Sequence, residues 1–160
     1  MVVEAPILTA RSISASAHVS RYVSTMENPL ETQAIVVLTA KYCWALDTGA
    51  FERLHDVFLP DATAQLGRVL CEGIDEIIDR VSSSLGKFAG SQHMVNTHEI
   101  VVDGDTATSR CYVHAQHMRL PGEEPALFTL GGTYEDDLVR TVDGWRIRHR
   151  TLTSLWETGR

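Results

Sequence analysis

The chain has 160 residues, 44% of them hydrophobic and 22% charged, with a formal net charge of −7. That length supports one hydrophobic core without requiring a second. The acidic balance argues against a nucleic-acid partner, and no apolar run approaches the roughly 20 residues a membrane span needs.

Cys43, Cys71 and Cys111 are odd in number and lack CxxC spacing, so neither a disulfide framework nor a zinc site is indicated. Each is expected as a small buried apolar residue in a reducing compartment. The N-terminus lacks the basic-then-apolar order of a secretion signal, so the expected location is the cytoplasm.

In chain order, residues 1–28 are rich in Ser, Ala and Val and show no sustained amphipathic period. They are expected to form an arm, with one domain over 29–160. From Pro29 the pattern becomes helical: Ile35, Leu38, Thr39, Tyr42, Ala45 and Leu46 recur at three- and four-residue steps and predict a core-facing stripe. Asp47-Thr48-Gly49 breaks this helix. Ala50 to Phe58 predicts a short second helix with Phe51, Leu54 and Phe58 inward, stopped by Leu59-Pro60-Asp61. A strand is expected over Ala62 to Leu70, a turn at Cys71-Glu72-Gly73, and a third helix over Ile74 to Leu85.

The segment from Gln92 to Met118 reads as a β-hairpin around Asp103-Gly104-Asp105 and carries four of the seven histidines. Strand alternation puts Cys111, Val113, Ala115 and His117 on one face and Arg110, Tyr112, His114 and Gln116 on the other. His117 is therefore expected inside. His93 opens the first strand of the hairpin. A further strand is expected over Ala126 to Val139, with Gly131-Gly132 marking a bend or a close approach. In the closing strand, Trp145 to Leu152, alternation groups Trp145, Ile147 and His149 against Arg146, Arg148 and Arg150. Helices first and antiparallel strands after is an α+β order.

Asp47 leaves the end of the first helix's inner stripe, and His93 and His117 lie on neighbouring strands. If the helix packs on the sheet, a carboxylate and an imidazole meet across an apolar space, as proton abstraction requires. Each residue also has a purely structural explanation. Asp47 can be a helix-ending turn residue, His93 and His117 half-buried rings satisfied by neighbours, His149 a ring packed beside Trp145, and Tyr42 a core tyrosine. Histidine pairs at 93 and 98 and at 114 and 117 fall on opposite strand faces, so no metal centre is expected. No phosphate loop or nucleophile elbow is present, and no cofactor is expected.

The phrases A-L-D-T-G-A-F-E-R-L-H-D-V-F-L-P-D-A from Ala45, S-Q-H-M-V-N-T-H from Ser91, and G-G-T-Y-E-D-D with D-G-W-R-I near the end resemble the SnoaL-like branch of the NTF2-like superfamily. The resemblance spans Leu30 to Leu152. It implies an NTF2-like cone: three N-terminal helices packed in a strongly bent, mixed, mostly antiparallel sheet that encloses an apolar cavity. In the dehydratases and dehydrochlorinases of that branch, an Asp ending the first helix and a His opening a strand form a proton-abstracting dyad. Asp47 and His93 match those positions, and His117 and Tyr42 match further pocket residues. Phe51, Phe58, Met94, Phe128 and Trp145 are the expected lining, with His149 beside Trp145. The two tyrosines that polarise water in scytalone dehydratase correspond to Leu46 and Leu66 here, which argues against a scytalone substrate. The dehydrochlorinase's late arginine corresponds to Arg140.

The expected function is a cofactor-independent lyase, of dehydratase type, acting on a hydrophobic cyclic small molecule. The alternatives are an isomerase or polyketide-type cyclase using the same dyad, and a non-catalytic binder or oligomeric partner subunit. A homodimer or homotrimer formed through the open sheet face is expected, with Arg146, Arg148 and Arg150 pairing there with acidic residues.

Overall fold

The structure is a computed structural model and describes residues 28–160. The arm expected over residues 1–28 lies outside the described residues except for Asn28. The elements run α1 (Pro29–Asp47), a 3-10 helix (Phe51–Asp56), β1 (Phe58–Leu66), β2 (Val69–Glu72), α2 (Ile74–Leu85), β3 (Gly90–Asp103), β4 (Thr106–Met118), β5 (Leu127–Thr141) and β6 (Gly144–Thr158). The strands form one six-stranded sheet in the order β2-β1-β6-β5-β4-β3. Only β1 and β6 pair in parallel among these neighbours; the other pairs are antiparallel. The architecture is α+β with a mixed, open sheet.

α1 starts where the sequence signals it. The Asn28 side chain accepts from the Glu31 N–H at 3.4 Å, and Pro29 occupies the first turn, where its missing N–H has no partner to lose. Ile35, Leu38, Thr39, Tyr42, Ala45 and Leu46 are all buried, and α1 packs on β3. Burial of each large aliphatic in that stripe contributes about 1.5–3 kcal/mol. At the same end, Trp145 Nε1 donates to Glu31 Oε2 at 2.6 Å and the Arg140 guanidinium lies 4.6 Å above the indole, which pins the helix start to β6. α2 buries Ile74, Ile77 and Val81, with Ile78 partly buried beside them.

The region after α1 differs from expectation. The second helix is a 3-10 segment ending at Asp56, and Phe58 starts β1 instead of closing a helix. Pro60 lies within β1, at the register shift between Phe58 and Thr63, where an irregular ladder spares the proline a missing hydrogen bond. The single strand expected to Leu70 is a hairpin: Gly67 turns with φ 64°, and Val69–Glu72 pairs back on β1.

Register shifts also revise the faces. In β3 the ladder shifts between Asn96 and Glu99, and Thr97 adopts φ 55°. One residue is added, so His93 and Val95 before the bulge, and His98 and Ile100 after it, all turn inward. In β6 the shift opposite Asp137 and Leu138 leaves Arg148 unpaired. Ile147 is then inward, His149 outward and Arg150 inward, which reverses the alternation expected for His149 and Arg150. In β5, Gly131 leaves room for the Trp156 indole and Gly132 for the Thr153 carbonyl; a side chain at either position would collide.

Candidate functional site

The C-terminal end of α1 delivers Asp47 to the start of β3. Thr48 follows as the cap, its hydroxyl donating to the Trp44 carbonyl at 2.6 Å, and Gly49 reverses the chain with φ 67°. The Asp47 carboxylate accepts the His93 main-chain N–H at 2.9 Å and 3.1 Å and lies 2.6 Å from His93 Nδ1. The His93 and Asp47 side chains are 5% and 15% exposed, so the contact is shielded from water. Fixed at both the backbone and the ring, the imidazole has one orientation. With Nδ1 donating to the carboxylate, Nε2 is left with its lone pair.

The ring opens into a pocket of about 1040 Å³. Tyr42 and Leu46 of α1, His93, Ala115 and His117 of the hairpin, and Phe128, Leu130 and Tyr134 of β5 line it. Asp47 stands behind His93. The helical angle of about 140° between Tyr42 and Asp47 places the tyrosine in the pocket while the carboxylate reaches round to the ring.

His117 lies 5.5 Å from His93, ring centre to ring centre, edge to face. Its Nδ1 is 2.8 Å from the Ser91 hydroxyl, and its ring is stacked by Phe88 at 4.7 Å and by Phe128 at 5.7 Å. Burial, aided by the neighbouring His93, lowers its pKa to about 4, so near neutral pH it is an uncharged hydrogen-bonding ring. Burial also raises the Tyr42 pKa, which keeps its hydroxyl protonated.

Beside the pocket lies a sealed ion pair. Arg150 Nε and Nη2 each donate to Asp136 at 2.7 Å, with the two side chains 0% and 2% exposed. The guanidinium is held between the rings of Tyr42 at 4.1 Å and Tyr134 at 4.3 Å. Burial penalises its charge, and the carboxylate more than offsets that penalty. Tyr42 is thereby braced from behind, with Phe58 against its edge at 5.9 Å.

Asp47, His93, Tyr42 and His117 are therefore brought together. Of the expected lining residues, Phe128 is on the pocket wall. Phe58 is buried under Tyr42, and Phe51 packs on the core from the 3-10 helix. Met94 points to the outer face, 40% exposed, because it alternates with His93. Trp145 sits at the start of α1, about 24 Å along the helix from Asp47. Arg140 is there too, paired with Glu31 and Asp105. His149 faces out, 2.6 Å from the Thr63 hydroxyl, because of the bulge at Arg148.

Phe88, Ser91, Asp136 and Arg150 were not legible. Phe88 lies in G-K-F-A-G, which has no periodicity, and the Asp136–Arg150 pairing depends on a bulge without a sequence marker. The three cysteines are buried, and burial raises Cys43 to about 12 and Cys111 to about 11, so these thiols stay protonated. Among the described residues, no three His, Cys, Asp or Glu side chains converge as metal ligands, and no helix is long and apolar enough to cross a membrane.

Comparison with known proteins agrees with this architecture. The SnoaL-like domain model matches residues 30–151. An uncharacterized protein of Mycobacterium tuberculosis is 37% identical over 141 residues, 84% of this chain and 90% of the relative. Among solved structures, a candidate scytalone dehydratase from Novosphingobium aromaticivorans is 26% identical with a TM-score of 0.76, covering 85% of this chain and 91% of that one. An NTF2-like superfamily protein from Salmonella enterica shares the fold at 20% identity, with a TM-score of 0.70 and coverage of 79% and 92%.

Proposed function

The chain belongs to the SnoaL-like domain family, and from that premise we propose that it is a cofactor-independent lyase removing water from a hydrophobic cyclic compound. The observation that carries the proposal is the 2.6 Å contact between Asp47 and His93 Nδ1, with the ring facing the pocket. The candidate dehydratase among the structural relatives supports the same reaction class. Fold alone does not select a reaction, so the assignment rests on the site.

In this mechanism His93 Nε2 takes a proton from the carbon next to a carbonyl. The electron pair of that C–H bond forms the new double bond as the neighbouring C–O bond breaks. The hydroxide that leaves collects the proton from His93 and departs as water, returning the ring to its starting state. Asp47 holds the ring and stabilises its charge between the two steps. Tyr42 donates a hydrogen bond to the departing oxygen. His117 does the same through Nε2–H when Ser91 donates to its Nδ1. The sheet is taken to bend over α1, so that the substrate lies in a cone with little water, where the charge interactions strengthen.

The test is incubation of the protein with a panel of hydroxylated cyclic ketones and mass spectrometry of the products. Loss of one water that depends on His93 supports the proposal. A product of unchanged mass would indicate isomerisation by the same dyad. His93→Ala is expected to lower turnover by about 10²–10⁴-fold with the fold intact, and full activity in that variant would remove the assignment.

The proposal includes a homodimer or homotrimer. The outer sheet face exposes Met94 on β3, Tyr112 on β4 and Trp156 on β6, 40%, 53% and 50% accessible. Light scattering on a sizing column tests it, and a monomer at all concentrations would contradict it.

A further inference from the structure

The pocket does not end with the histidines. The same pocket is also lined by Arg68 in the β1–β2 turn, Arg80 on α2, Lys87 just after α2, and Arg160. The one acidic side chain in the lining is Glu157. Glu157 is already held, by Arg160 Nε at 2.5 Å and by the Ser154 hydroxyl at 3.1 Å. Arg68, Arg80 and Lys87 enter no ion pair among the described residues.

With Glu157 neutralised by Arg160, three unpaired cations remain on the lining, a local reversal in a chain whose net charge is −7. Arg68, Arg80 and Lys87 are themselves exposed, and what distinguishes them from other surface cations is that they share one pocket with apolar side chains such as Leu66, Val81, Leu85, Phe128 and Leu130. A low-dielectric wall concentrates the field of such charges into the pocket.

The sheet fixes how far Glu157, with Arg160 bound to it, lies from His93. His93, Ala115, Leu130 and Glu157 are successive partners across β3, β4, β5 and β6. Three interstrand steps of about 4.8 Å separate His93 from Glu157 by roughly 14 Å along the sheet. A ligand in this pocket thus meets the His93 ring and, on the same lining, the side chains of Arg68, Arg80 and Lys87.

We propose that the pocket takes an amphiphilic anion: an apolar ring system placed against His93, joined to a carboxylate, sulfonate or phosphate group held by Arg68, Arg80 and Lys87. This rests on the dehydratase reading for what happens at the His93 end, and deepens it by naming the substrate's charge. Arginine suits the role because its planar fork binds such groups through two hydrogen bonds, with lysine adding a point charge. A neutral ring compound fills the apolar half and leaves the cations unused.

The test measures binding and needs no turnover. Anilinonaphthalene sulfonate and its neutral counterpart phenylnaphthylamine share a ring system, and both fluoresce on entering an apolar site. Wild type is expected to bind the sulfonate about tenfold more tightly than the neutral probe. The double variant Arg80→Gln and Lys87→Gln should lose about that tenfold for the sulfonate and leave the neutral probe unchanged. A control pair with the same charge change at exposed positions outside the lining, Arg53→Gln and Arg148→Gln, should alter neither. Equal affinity of wild type for the two probes, an equal loss in the control pair, or loss of both probes in the double variant would overturn the proposal. The probes are bound without turnover, so failure of the dyad in turnover and failure of the cationic side chains in binding are seen in separate assays.

Discussion

Two carboxylates in this molecule hold a basic side chain in the protein interior, and they do opposite things. Asp136 grips Arg150 through two parallel hydrogen bonds with neither side chain exposed. Asp47 grips His93 through Nδ1 and the main chain, and leaves the second ring nitrogen facing a pocket. The guanidinium is permanently charged and, sealed in the core, has no route to a substrate. The imidazole can take or release a proton, and a ligand can reach it. A buried ion pair by itself is therefore no sign of chemistry; an unused lone pair with access is.

The contrast predicts which variants affect stability and which affect turnover. The largest effect belongs to the sealed pair. Arg150→Met leaves the Asp136 carboxylate buried and alone, and should cost about 3–5 kcal/mol in urea unfolding. Adding Asp136→Asn should restore part of that loss. A change below about 1 kcal/mol for Arg150→Met would mean that water reaches the pair.

For the open pair the loss should appear in catalysis instead. Asp47→Asn preserves shape and can still accept one hydrogen bond from His93, but the neutral amide no longer selects the ring tautomer or stabilises its charge. We expect at least about 10²-fold lower turnover against a stability change of about 1–2 kcal/mol. Turnover within a few fold of wild type would place the chemistry elsewhere.

His117 gives a smaller and pH-dependent effect. Its folded-state pKa is lowered from 6.5 to about 4 by burial. The unfolded chain therefore binds a proton at a higher pH than the folded one. The stability linked to this ring is complete above pH 6.5 and is lost as pH falls toward 4. Urea unfolding midpoints should drop over that window in wild type, and drop less in His117→Phe, which keeps the stack with Phe88 and Phe128. Parallel pH profiles would contradict the burial argument.

The smallest effect is expected at Ser91, whose hydroxyl only orients His117 from 2.8 Å. Ser91→Ala should lower turnover a few fold and leave the midpoint within about 1 kcal/mol. A loss as large as that of Asp47→Asn would show that Ser91 acts on the substrate directly.

The same two pairs show what a sequence reveals. Asp47 and His93 were legible because each ends or begins an element whose boundary has its own signal, a helix stop at Thr48-Gly49 and a strand opening after Gly90. The six-residue stripe of α1 and the inward face of β4 follow from periodicity alone. Asp136 and Arg150 were hidden because their meeting depends on the extra residue at Arg148, which turns Arg150 in and His149 out. Alternation assumes an unbroken ladder, and one bulge exchanges the faces beyond it. Thr97 does the same in β3 without the glycine that would mark a positive φ. The start of β1, expected at Ala62 and found at Phe58, was misplaced for a related reason: Pro60 reads as a stop signal, while in the fold it occupies a gap in the ladder.

The central claim is that Asp47 fixes His93 with its lone pair toward the pocket, and nitrogen NMR of histidine-labelled protein tests it without any substrate. In mildly alkaline solution the account predicts that the His93 ring proton resides on Nδ1 and Nε2 is bare, and that Asp47→Asn makes the ring a mixture of both tautomers. A His93 ring protonated on Nε2 in wild type would contradict it.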